Sequence, residues 1–242
     1  SFLLKHQNKF FGLFVFVLLF NLFDVIFPLH TNRDYSTIIE AEDGTVLYSF
    51  LTNDDKWRMY TKLDEITPNL QKAFLNKEDR WFYWHFGINP VAVGRAFFNN
   101  TIKHKRTSGA STITMQVARM LEPKQRTIFS KVKEMFRALQ LEWHFLKKEI
   151  LQLYLNLVPY GSNIEGAKSA AFIYFGKSPA QLSIAEITTL TIIPNRPNSL
   201  VLGKKNEYIQ QERNRWLKKF KKNYSSSLEI MILWAVMIIL HQ

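Results

Sequence analysis

Hydrophobic residues run almost without interruption from Phe10 to Leu29 (FFGLFVFVLLFNLFDVIFPL), broken only by Asn21 and Asp24. Twenty helical residues span about 30 Å, the thickness of a bilayer core, so the run predicts a transmembrane helix, with a buried core helix as the alternative. Lys5 and Lys9 precede it and no small-residue cleavage site follows. That predicts an uncleaved signal anchor over residues 1–30, its N-terminus cytoplasmic and the rest of the chain outside. Shorter elements come next. Residues 35–50 read as a hairpin around Asp43-Gly44. Thr67-Pro68 opens a helix with Leu70, Ala73 and Phe74 on one face, and its end delivers Glu78. Pro90 to Phe98 and Ile113 to Leu121 are helical. Ile128 to Leu146 is a long amphipathic helix with Ile128, Val132, Met135, Phe136 and Leu139 at helical spacing. On its other face Lys131 and Glu134 are neighbours three apart. Lys147 to Asn156 forms a further helix, ended by a turn at Pro159–Asn163. Gly166 to Phe175 stops at Gly176, and Ser183-Ile-Ala-Glu186 is a capping box for a helix that Pro194 terminates. Strand signals are sparse, and the predicted fold class is mainly α.

The net charge of +12 points to an anionic partner: nucleic acid, acidic lipid or a phosphorylated substrate. None of the usual nucleic-acid motifs is present, so nucleic acid is not the expected partner. The chain has no cysteine, and its six histidines lack paired ligand spacing, which argues against a zinc site built by the protein. The stretch 99–111 (NNTIKHKRTSGAS) is polar and basic. It reads either as a solvated loop or as cations poised for phosphate or a membrane surface.

The chemistry concentrates at Lys77–Gly87, KEDRWFYWHFG. Glu78 and Asp79 head an aromatic cluster closed by His85 and Gly87. Desolvation raises a carboxylate's pKa toward the value a general base needs, so a carboxylate walled by Trp81, Phe82 and Trp84 is a candidate catalyst. Acids at a helix start followed by core aromatics are the plainer reading. A second stretch, Gly109-Ala-Ser-Thr-Ile-Thr-Met-Gln116, and a third, Arg126 to Glu134, tip the balance toward catalysis.

Together these stretches resemble the peptidoglycan glycosyltransferase domain, glycosyltransferase family 51, which has a lysozyme-like α fold. Glu78-Asp79-Arg80-x-Phe82-x-x-His85-x-Gly87 looks like the family's first motif, and Gly109-x-Ser111-Thr112-Ile113-Thr114-x-Gln116 like its second. Arg126-Thr127 with Lys131-x-Lys133-Glu134 looks like the third. Glu149-Ile150-Leu151-x-x-Tyr154-Leu155-Asn156 is similar to the fourth, and Arg213-x-Arg215-x-Leu217 to a weak fifth. The resemblance sets the domain at residues 31–222, between the anchor and a short hydrophobic tail, 223–242. Two positions depart from the pattern: Ser130 stands where the family usually has Arg, and Gln152 where it usually has Glu.

The resemblance implies an enzyme that polymerises lipid II into β-1,4-linked glycan strands, with inversion and release of undecaprenyl diphosphate. Glu78 and Glu134 would be the catalytic acids. Asp79, His85, Gly109, Ser111, Thr112, Gln116, Arg119, Arg126, Lys131 and Lys133 would bind substrate. It further implies a divalent cation, Mg or Mn, on the substrate diphosphate, with no organic cofactor. The expected partners are lipid II, the lipid-linked growing glycan, the membrane and a transpeptidase. The expected location is the bacterial inner membrane, single-pass, with the catalytic domain on the outer side. The rivals are a lysozyme-like glycan-cleaving enzyme and a catalytically weak, membrane-tethered scaffold. The tail Leu228–Leu240 follows a basic run, 213–222. It reads either as an interfacial anchor or as a functionless remainder.

Overall fold

A computed structural model describes residues 2–42, 44, 46–102, 111–125, 127–197, 199, 200, 202, 203 and 206–223, with side-chain surroundings for all of these except 2–10, 13, 16, 96, 97, 99–102 and 219–223. Among the described residues the chain is mainly helical. In order it forms α1 (Phe2–Ile26), β1 (Ile38–Glu40), β2 (Val46–Ser49), β3 (Trp57–Arg58), α2 (Pro68–Glu78), α3 (Pro90–Ile102), α4 (Ile113–Leu121), α5 (Ile128–His144), α6 (Lys147–Leu157), β4 (Pro159–Gly161), β5 (Ile164–Glu165), α7 (Ala167–Phe175), α8 (Ile184–Ile192) and α9 (Asn206–Asn223). Of the expected tail, 223–242, all but Asn223, the last residue of α9, lies outside the described residues.

The core is built by α4 against α5 and α6, and by α2 against α8, which also meets α9. Leu70 and Phe74 of α2, Ile113 and Val117 of α4, Leu151 and Tyr154 of α6, and Leu190 of α8 are fully buried in one cluster. Phe74 meets Tyr154 edge-to-face, with ring centroids 5.6 Å apart. Helix starts follow the sequence chemistry. Pro68 stands in the first turn of α2, Ser183 forms the capping box of α8, and Gly176 closes α7 in the left-handed region.

Two small sheets complete the domain. β1 and β2 pair antiparallel, Ile38 opposite Ser49, as the Asp43-Gly44 signal predicts. The turn at 159–163 is itself a short antiparallel pair, β4 with β5, and β3 joins β5 in parallel. Arg58 ties this sheet together. It is 4% exposed and bonds Glu165 at 2.8 Å, Asp54 at 2.8 Å and the Asp34 carbonyl.

The long amphipathic helix is present, but its buried face is not the predicted one. Arg137, Ala138, Gln140 and Leu141 are buried, whereas Ile128 and Val132 are 88% and 58% exposed. The helix starts beyond the edge of the core, so among the described residues Ile128 and Val132 are left outside it, and helical spacing alone does not record that. Its second half receives α1 instead. Asp24 accepts from Gln140 at 2.7 Å and meets His144 at 2.8 Å, Arg137 donates to the Phe27 carbonyl, and Phe20 lies edge-on to Phe136 and Trp143. Among the described residues no helix is long and apolar enough to cross a membrane. The predicted anchor, residues 1–30, begins among residues whose side chains lie outside the described set.

Candidate active site

The last turn of α2 carries Lys77 and Glu78 into an open cleft of about 870 Å³, lined also by Ser111, Gln116, Arg119 and Asn195. The Glu78 carboxylate is held on both oxygens. Lys77 Nζ lies 2.6 Å from Oε1, and Gln116 Nε2 donates to Oε2 at 3.2 Å. The Asn195 amide, oriented by its hydrogen bonds, donates to Oε1 at 3.0 Å and accepts from Lys77 at 2.8 Å. Burial pushes the Lys77 ammonium below its ordinary range, and Glu78 opposes that shift only in part. Tyr154 lies beneath. Burial first, and Glu78 second, raise its hydroxyl well above the ordinary tyrosine value, so it stays neutral.

Of Trp81, Phe82 and Trp84, Trp81 alone lines the cleft with Glu78. Residues 82–84 form a 3-10 turn, which sends successive rings in different directions. Phe82 is fully buried, while Trp81 and Trp84 are 56% and 84% exposed. The polar partners of Glu78 are Lys77, Gln116 and Asn195.

Asp79 faces the other way. Its carboxylate sits 3.0 Å from His85 Nε2 and accepts from the Ile113 N–H at 3.0 Å, at the start of α4. Thr112 caps the same helix, accepting from the Met115 N–H and donating to the Gly87 carbonyl at 2.6 Å. Asp79 and Thr112 therefore join the loop 79–87 to α4, and His85 Nε2 holds the Asp79 carboxylate in place. Gly87 is required there. Its φ is +74°, and a Cβ would lie 2.8 Å from the Ala138 carbonyl oxygen. Below the loop, Glu142 accepts from Thr114 and Lys147, both at 2.7 Å, and Lys147 also donates to the His85 carbonyl.

Beyond Ser111 the cations gather around Glu134. Lys131 Nζ lies 2.8 Å from Ser111 Oγ and 2.9 Å from Glu134, and Arg119 Nε lies 3.8 Å from the same carboxylate. Arg80 and Arg95 also line the cleft. Lys133 is elsewhere, 2.7 Å from Glu122. Gly109 and Arg126 lie outside the described residues. Thr127 caps the start of α5, its hydroxyl oxygen accepting from the Ser130 N–H, and Gln152 makes neutral bonds with the Leu63 N–H and the Tyr60 hydroxyl. Sequence reasoning missed Lys77, Asn195, Glu142 and Lys147. Lys77 was visible as a cation beside the acid, but the other three are brought in by folding alone.

A family model described as Transglycosylase matches residues 43–221. The chain belongs to that family. It is 41% identical to penicillin-binding protein 1C of Escherichia coli K12 over 79% of this chain and 25% of that protein. It is 38% identical to penicillin-binding protein 1A of the same organism over 66% of this chain and 19% of that protein. A crystal structure of penicillin-binding protein 1A from Haemophilus influenzae covers 82% of this chain and 20% of that one, at 20% identity and a TM-score of 0.44. The chain thus spans a quarter or less of the length of these relatives. Within the family, Met115 and the run Pro159–Gly166 look most like penicillin-binding protein 1C, in line with that match. The motif resemblance thereby stands at the level of family, and with it the class of peptidoglycan glycosyltransferases.

Proposed function

We propose that this domain polymerises lipid II, a lipid-linked disaccharide-peptide diphosphate, into β-1,4 glycan. The observation carrying this reading is the shared cleft: one oriented carboxylate, Glu78, faces a space bordered by Arg80, Arg95 and Arg119. Glu78 would accept the proton of the acceptor's 4-hydroxyl through Oε2 as that oxygen attacks the donor's anomeric carbon. The diphosphate leaves from the opposite side and the anomeric centre inverts. Negative charge grows on the departing diphosphate, and preplaced cations stabilise it without reorganising. Lys131 and Arg119, both held by Glu134 next to Ser111, suit that task. One base and a good leaving group suffice. A glycan-cleaving enzyme must instead protonate a poor leaving group, and the cationic border gives it no advantage.

The described residues do not fit a resident divalent metal, since no group of three or more His, Asp or Glu is placed to hold one. A Mg or Mn ion on the diphosphate would arrive as part of the substrate. The membrane belongs to the same proposal. Exposed Ile128 and Phe129 at the start of α5, with Phe11, Phe14, Leu18 and Leu22 on α1, form apolar surface suited to lipid. The domain would sit on the outer face of the bacterial inner membrane, next to lipid II and the growing strand and beside a transpeptidase partner. Polymerisation of purified lipid II tests the reading. Glu78→Gln keeps size and hydrogen bonding but removes the base, so turnover should fall at least about 10²-fold with lipid II still bound. A near wild-type rate would overturn it.

A further inference from the structure

Lys77 has no place in the mechanism just given, yet it is the charged group nearest the carboxylate that carries it. Its side chain is 8% exposed and that of Glu78 11%, so the pair faces little screening water. Adjacent residues on a helix normally diverge by about 100°. Here both side chains converge because α2 ends at Glu78, and Asn195, in the 3-10 turn after α8, bridges the two. The arrangement is asymmetric. Oε1 is taken up by Lys77 and Asn195, whereas Oε2 has the weaker 3.2 Å bond from Gln116, a cleft-lining residue.

We infer that Lys77 is a positioning residue for Glu78: it fixes Oε1 and leaves Oε2 to the substrate hydroxyl. This rests on Glu78 being the base. The opposing influences are few. Arg119 on α4 and Arg80 and Arg95 on the cleft wall are cations farther from the carboxylate, and they add to the effect of Lys77. Tyr154 on α6 is neutral, and the acid of α8, Glu186, is turned 2.7 Å toward Lys177. The neighbouring acid, Asp79, is occupied by His85 and Ile113. Lys77 is thus the close counter-charge. It has a cost as well, since protonating Glu78 during turnover leaves a buried ammonium without its anion.

The test is the pH profile of kcat/KM for lipid II polymerisation. Lys77→Met and Lys77→Gln should move the midpoint of the acid limb upward by about one pH unit or more, as loss of a close opposite charge requires. Lys77→Arg should restore it toward wild type. A purely structural role would lower activity at every pH without moving the limb, and an unmoved limb in a folded neutral variant overturns the proposal. If neither neutral variant folds, the pH dependence of Lys77 acylation, read by mass spectrometry in wild type and Glu78→Gln, decides. The pairing requires the Lys77 midpoint to fall in Glu78→Gln, and an equal midpoint overturns it. Activity retained in Glu78→Gln would instead refute the assignment of the base.

Discussion

Asp79 accepts a hydrogen bond from the backbone N–H of Ile113 at 3.0 Å, so a residue of the first acidic motif caps the helix that carries Gln116 and Arg119. With His85 on the same carboxylate, this one side chain sets the distance between the candidate base and the cationic wall. It is 6% exposed, so its partners have no ready substitute in water.

Asp79→Ala should therefore destabilise the domain by about 3 kcal/mol, the usual cost of stranding buried partners of a charged group. Asp79→Asn can still accept from Ile113 and should cost about 1 kcal/mol. Urea unfolding of both variants checks the order. Equal and negligible losses would show that the capping bond does not hold the motif.

Gly87→Ala should cost more than Gly44→Ala, although both glycines have positive φ. A Cβ at Gly87 meets the Ala138 carbonyl oxygen at 2.8 Å, whereas at Gly44 nothing lies within 4 Å. Left-handed strain alone is about 1 kcal/mol, so Gly44→Ala should lose about that much and Gly87→Ala at least about 2 kcal/mol. Thermal melts of the pair separate the backbone clash from the strain.

Lys131 and Lys133, two residues apart, should behave differently. Lys131→Ala removes a cation beside Ser111 and should weaken binding of a phosphoglycolipid inhibitor about tenfold or more, the scale of one charge-assisted bond. Lys133→Ala breaks a bond to Glu122 outside the cleft and should leave inhibitor affinity within about twofold, with a stability change of about 1 kcal/mol or less. Equal losses of affinity would mean that both reach the ligand.

Acid sensitivity should trace in part to Asp54. The Arg58 hydrogen bond, with that from Thr52, holds its carboxyl down from 3.8 to about 2. A depressed carboxylate adds stability that is complete above its unfolded value and is lost as pH falls through the folded one. Asp54→Asn should therefore flatten the fall in stability between pH 4 and 2 and lower stability slightly at neutral pH. Chemical denaturation at several pH values measures this, and an unchanged slope would remove Asp54 from the acid response.

Local signals in the chain were sufficient for the elements. Pro68 in the first turn of α2, the Ser183–Glu186 capping box, Gly176 and the Asp43-Gly44 turn act within one or two turns of backbone, so their effects need no distant partner. The family resemblance likewise named Glu78, Ser111, Gln116, Arg119, Lys131 and Glu134, which the fold gathers at one cleft and its rim. Direction and pairing were not legible. Helical periodicity marked Ile128 and Val132 as apolar but not that α5 overshoots the core. The motif put Asp79 beside Glu78 without showing that it turns away to cap α4, and it put Lys133 beside Glu134 without showing Glu122. Asn195 reached Glu78 only because the end of α8 packs beside α2. A side chain's partner depends on which surfaces exclude water around it, and that is settled when the helices pack rather than when each one forms.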